Sequence, residues 1–176
     1  MPPGELSWEV ERDHLQARAP IAAPFPDDLR RVRIYVHAPS SAARVLQRTT
    51  EALACVIRPP SEPWPSQDDW QRLLPSWFVA ACLPAAGALP AEAAGVEVER
   101  WTVDGFTYWF EPAQREWWWW DAEFVSADDL IIRVAVTELQ FSHQALEWLL
   151  WAAGATLVED EFVRELSQRS APRSPK

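Results

Sequence analysis

The stretch Glu116-Trp117-Trp118-Trp119-Trp120-Asp121-Ala122-Glu123-Phe124-Val125 decides how this chain is read. As a β-strand it sorts its residues onto two faces, because successive side chains point to opposite sides. Trp118, Trp120, Ala122 and Phe124 make an apolar face and read as core. Trp117, Trp119, Asp121 and Glu123 make the other face, two large rings followed by two acids. A strand buried on one side has no need of Trp on the other, so that second face asks for a partner.

The next run, Leu130 to Thr137, alternates in the same way after the turn Ser126-Ala127-Asp128-Asp129. Matching apolar faces sets the expected register, since a slip of one residue would bury the acids. It puts Phe124 opposite Leu130, Ala122 opposite Ile132, Trp120 opposite Val134 and Trp118 opposite Val136. On the other face Asp121 stands across from Arg133, with Trp119 and Trp117 across from the small Ala135 and Thr137. Both rings are then left uncovered by their neighbours.

Working outward, Arg31 to His37 is a strand with Val32, Ile34 and Val36 on one face and Arg33, Tyr35 and His37 on the other. Ser40 reads as the N-cap of an amphipathic helix over 41–56. A helix over 142–153, capped by Ser142 and closed by Gly154, leads to a short strand at 155–158. The order β(31–37), α(41–56), insertion, β(116–125), β(129–137), α(142–153), β(155–158) predicts an α+β chain. Its expected form is a ferredoxin-like split βαββαβ antiparallel sheet with a helical, Pro-rich insertion after the first helix. In that arrangement Arg33, Tyr35 and Arg133 share the open sheet face with Trp117, Trp119, Asp121 and Glu123.

The insertion, residues 58–115, opens on four Pro between Pro59 and Pro65 and excludes helix or central strand there. Ser66 with Asp69 reads as a capping box, and Pro75 either kinks that helix or breaks it and opens a second one at its first turn. Residues 84–95 carry little pattern and are expected to be mobile. Asp104-Gly105 reads as a hairpin turn, whereas Trp101 and Phe106 bracket Thr102 as a staple around a helix N-cap; the helix is preferred. Leu6, Trp8 and Val10 alternate with polar residues as a short strand. Residues 1–166 form one expected domain, and 167–176 a disordered tail.

Charge and cysteine content narrow the function. Residues 1–60 carry +1 and residues 61–176 carry −11, giving the net −10. That lacks the basic footprint of a nucleic-acid binder and suits a partner that is itself basic. Cys55 and Cys82 stand alone, without metal-ligand spacing. No basic region and apolar run follow Met1, and no window approaches a membrane span, so a cytoplasmic chain with no membrane partner is expected. No motif for a nucleophile, a phosphate loop or a metalloprotease is present, so no catalytic residue, metal or cofactor is expected. His37, at a strand end, is the one His whose placement draws notice.

The runs Trp109-Phe110-Glu111-Pro112, Arg115 to Ala122, and Leu149 to Ala155 resemble an uncharacterised Trp-rich family of bacterial proteins. The helix at Leu74-Pro75-Ser76-Trp77-Phe78 is similar too. The resemblance covers roughly the C-terminal 110 residues and implies no activity, cofactor or catalytic residue.

The expected function is a non-enzymatic, cytoplasmic protein-binding module of the adaptor or toxin-immunity kind. Its expected binding face is Trp117, Trp119, Asp121, Glu123, Arg133 and Tyr35, and its expected partner another protein, with basic charge suiting the acids of that face. The alternative is a small-molecule binding domain or enzyme, with a Trp and carboxylate pocket for a cationic or sugar-like ligand.

Overall fold

The computed structural model describes residues 6–17, 19–83 and 87–170. In chain order they form α1 (Trp8–Gln16), β1 (Arg30–His37), α2 (Ala42–Val56), α3 (Gln67–Leu73), α4 (Ser76–Ala81), α5 (Pro90–Ala93), α6 (Val103–Tyr108), β2 (Trp117–Phe124), β3 (Asp129–Val136), α7 (Gln144–Ala153), β4 (Leu157–Asp160) and α8 (Glu161–Ser170). This is an α+β architecture. Its one sheet among the described residues is open, antiparallel and four-stranded, in the order β2-β3-β1-β4.

Alternation builds the two faces. Val32, Ile34 and Val36 of β1 and Leu130, Ile132, Val134 and Val136 of β3 are all buried on the face that packs against α2 and α7. Those helices contribute Val45, Leu53 and Val56 and Leu146 and Leu149 to the same apolar cluster. Gly154 ends α7 at φ 119°, a left-handed conformation that costs a side-chain-bearing residue about 1–2 kcal/mol.

The insertion packs into this core as four short helices. Ser66 and Asp69 form the expected capping box at α3, and Pro75 stands at the N-cap of α4. The Thr102 hydroxyl accepts from the Gly105 N–H at 3.1 Å, so 103–108 is helix and the Asp104-Gly105 hairpin does not form. A chain of rings then runs Phe78–Phe106–Phe110–Trp117, with centroids 4.5, 4.9 and 5.6 Å apart. Residues 84–86 of the low-pattern stretch lie outside the described residues. The rest of it is not featureless, because α5 is held by Glu92, which accepts from the Leu89 N–H and from Arg100.

Two expected caps shift by one residue, Ser41 rather than Ser40 preceding α2 and His143 rather than Ser142 preceding α7, and two larger expectations are corrected. The Leu6–Val10 segment is not a strand. Ser7 caps α1 by accepting from the Val10 N–H, and the helix buries Glu11 and Leu15, four residues apart. A three-residue alternation is too short to exclude helical spacing, and the cap decides. The second correction concerns the Trp run. Asp121 pairs Arg133, Ala122 pairs Ile132 and Phe124 pairs Leu130, as expected, but a β-bulge lies between Trp119 and Asp121. Trp119 therefore faces Val134, Trp118 faces Ala135 and Trp117 faces Val136. One extra residue reverses the sidedness of every ring before it. Trp117 and Trp119 enter the main core, while Trp118 and Trp120 join Leu6, Leu29, Ile21 and Phe25 on the opposite face.

The C-terminal elements shift slightly from expectation. The last strand runs Leu157–Asp160, and α8 is helical to Ser170, so the expected tail begins as helix. Residues 171–176 of that tail lie outside the described residues. Among the described residues, no helix is long and apolar enough to cross a membrane.

Candidate functional site

Of the six residues expected on one binding face, four share the outer sheet face and two do not. Trp117 and Trp119 are each 1% exposed, on the core side, Trp117 sealed by Phe110 of the insertion. They are not available to a partner. Asp121, Glu123 and Arg133 do come together: Arg133 Nη1 donates to Asp121 Oδ1 at 2.9 Å and Nη2 donates to Glu123. The other Asp121 oxygen accepts from the Ile21 N–H at 2.9 Å, which completes its coordination. Asp121 is buried, whereas the Glu123 side chain keeps 45% of its exposure. Tyr35 lies further along the face beneath Arg164, whose guanidinium sits 4.1 Å from the ring centroid.

The N-terminal segment explains which parts of β2 are covered. Sheet order makes β2 an edge strand, with one side lacking a strand neighbour. Glu11 of α1 covers its first half by accepting the Trp119 N–H at 2.6 Å while pairing with Arg115. Burial pushes the Glu11 carboxyl above its ordinary range, against the lowering pull of the Arg115 charge and the Trp119 N–H. The segment then crosses to the outer face at Asp121 through Ile21, and Phe25 packs 4.7 Å from the Trp120 ring.

Beyond that crossing the edge is uncovered. The Val125 N–H donates to the Asp129 carbonyl at 2.9 Å, which fixes the hydrogen-bonding phase of the β2–β3 pair. Counting back by twos, Glu123 and Asp121 bond β3, so the N–H and C=O groups of Ala122 and Phe124 point away from the sheet. They face a groove of about 920 Å³ between β2, α2 and the N-terminal segment. Leu15, Pro20, Leu46, Thr50 and Ala54 supply apolar wall, and Glu51 and Glu123 supply its acids. Phe124, 51% exposed, leaves a large apolar side chain in this groove, while Val125, 62% exposed, turns to the outer face.

A second concavity, about 750 Å³, lies on the outer face over Tyr35, His37, Ile131, Leu157, Glu159 and Arg164. His37 Nδ1 lies 2.8 Å from Asp129 Oδ1, and Asp129 also accepts from the Ser126 hydroxyl. The His37 bond, then the Ser126 bond, holds the Asp129 carboxyl below its usual range. His37 and Asp129 are thus bonded to one another, while Arg164 meets Tyr35 through the ring face alone. Burial pushes the Cys82 thiol up to about 11, which keeps it a protonated core group at neutral pH. Among the described residues, no three His, Cys, Asp or Glu side chains converge as metal ligands.

The groove residues of α1 and α2 went unnoticed in the sequence, where Leu15, Leu46 and Thr50 look like any amphipathic helix positions. What could have pointed to them is the exposed pair Phe124-Val125 at the end of an edge strand. Comparison with protein-family models, with curated proteins and with solved structures returned no match.

Proposed function

We propose that this chain is a non-enzymatic protein-binding module, of the adaptor or toxin-immunity kind, that receives a segment of a partner protein in the groove beside β2. One observation carries the reading: the Ala122–Phe124 edge turns unpaired backbone groups into an apolar groove with acids on both walls. Exposed edges of this kind are normally blunted, and are left open where strand addition is used. The outer-face concavity supports a small-ligand reading less well, because His37 is already bonded to Asp129 and the Arg164 guanidinium already lies over the Tyr35 ring. The strand order β2-β3-β1-β4, with α2 and α7 on one face, favours assigning the sheet to the ferredoxin-like split fold. A cytoplasmic setting and membership of the Trp-rich bacterial family fit this proposal and remain part of it.

Site-specific photo-crosslinking tests the reading in the cells that make the protein. A benzophenone side chain at Phe124 should give a discrete protein adduct, lost when Ala43→Trp fills the groove. The same probe at exposed Leu139, away from the groove, should give none. No adduct at position 124, or equal adducts at both positions, would refute the proposal.

A further inference from the structure

We infer that the partner segment, on the reading that the groove docks a protein, enters as an antiparallel fifth strand carrying an apolar–basic–apolar triplet. The derivation starts from the backbone. Ala122 and Phe124 offer four outward groups, two N–H and two C=O, with the spacing of one strand ladder. A helix satisfies its own backbone and leaves these four groups unpaired, whereas an extended segment satisfies all of them. Every strand pair of this sheet is antiparallel, and an antiparallel addition continues that pattern.

Side-chain direction then follows from the pleat. Residues directly opposite one another across two strands point to the same face. Partner residues opposite Ala122 and Phe124 therefore point to the α2 side, onto Leu46, Thr50 and Leu15. These two positions take apolar side chains. The partner residue between them stands opposite Glu123 and points to the outer face. There two carboxylates, Asp121 and Glu123, share one guanidinium, Arg133, and leave a net negative charge on the half-exposed Glu123. Lys or Arg fits that position, and the net charge of −10 favours approach of a basic segment.

A second copy of this chain is a poor occupant. Pairing two free β2 edges about a two-fold axis sets Ala122 against Phe124 and Glu123 directly against Glu123 of the other copy. Like charges facing one another across a strand pair are unfavourable. Of the two other registers, Ala122 against Ala122 runs into the N-terminal segment where Ile21 crosses at Asp121, and Phe124 against Phe124 sets Ala122 against Ser126 of the turn, beyond the end of β2.

A phage-displayed library of random heptapeptides, selected on the full chain, tests the inference. The expected result is enrichment of an apolar–Lys/Arg–apolar triplet. Selection on Glu123→Lys should shift the middle position to Asp or Glu. In a synthetic peptide carrying the selected triplet, N-methylation at either apolar residue should weaken binding at least tenfold, because those N–H groups face β2. N-methylation at the basic residue, whose N–H faces away, should change affinity less than threefold. Phe124→Pro should weaken binding as well, without removing a β2–β3 bond, and its urea melt shows whether the sheet is intact. The peptide variants carry the test if that substitution unfolds the chain. Enriched peptides that Ala43→Trp abolishes, but that lack the triplet or ignore N-methylation, would overturn strand addition and leave groove docking standing. No enrichment, or binding indifferent to Ala43→Trp, would overturn both.

Discussion

Removing the Glu11 side chain tests whether α1 is fastened to the edge of β2 as described. Glu11 is fully buried, and its Oε1 takes both the Arg115 guanidinium and the Trp119 N–H, across more than a hundred residues of sequence. Glu11→Ala leaves an almost buried Arg115 without its counter-ion, a loss of about 3–5 kcal/mol for breaking a buried pair. It also strands the Trp119 N–H, which costs about 1–3 kcal/mol when no acceptor replaces it. The two terms overlap, so the expected total is about 4–6 kcal/mol, a large fraction of a typical domain's stability. For a chain of 176 residues that lowers Tm by about 10–20 °C. Burial outweighs pairing at this carboxyl, so an apolar replacement of both partners should cost far less than the single change. Glu11→Leu with Arg115→Leu is expected to lose only the N–H term, about 1–3 kcal/mol. Urea unfolding of the two singles and the double gives the coupling directly. A Glu11→Ala loss below about 1 kcal/mol, or a double variant no better than the single, would refute this account of the helix.

Three further outcomes are expected. Trp119→Ala should cost about 3–5 kcal/mol in urea melts, because the ring is closed in the main core; a loss under about 1 kcal/mol would place it outside. Gly154→Ala should cost about 1–2 kcal/mol from its left-handed backbone alone, since the nearest atom to a new Cβ is Val45 Cγ2 at 3.8 Å; Gly154→Asn should cost less, and equal losses would point to a steric origin. Burial lowers the His143 pKa, but the Glu147 hydrogen bond and charge, with Asp160 at 3.4 Å, outweigh it and hold the imidazolium above its ordinary 6.5. Its stabilising contribution is thus complete below pH 6.5 and lost as pH rises through the folded value, so the Tm gap to His143→Asn should narrow from pH 6 to pH 8.5.

Much of the fold was readable because local signals and global packing agree. β1 and α2 follow their hydrophobic periods, Ser66 and Asp69 cap α3, Thr102 caps α6, and Gly154 stops α7. The Asp121–Arg133 pairing also followed, because only one register keeps the acids out of the core. The bulge did not, and the reason is physical. Trp117 to Trp120 present four equivalent rings, so no local contrast says which pair is core. The choice is made by Phe110 and Val136 on one side and by Phe25, Leu29 and Ala135 on the other, all distant in sequence. Glu11 was unreadable for a related reason: an acid on a helix reads as solvent-facing until its Arg115 partner is known.

The same covering explains why the remaining edge is better understood as a docking surface than as a protected flank. A chain that only guarded against edge-to-edge association would place unpaired charge along the edge and keep large apolar groups away from it. The first half of β2 is guarded in a different way, by a helix whose carboxylate occupies a strand N–H. The second half has neither device. Glu123 turns to the outer face, where it shares Arg133 with Asp121, so no charge stands over the groove-side groups of Ala122 and Phe124, and the Phe124 ring is exposed beside them. Extending the guard would have required only that the N-terminal segment cross β2 a few residues later. It crosses at Asp121 instead, fixed there by the Ile21 N–H, and that bond sets where the open edge begins.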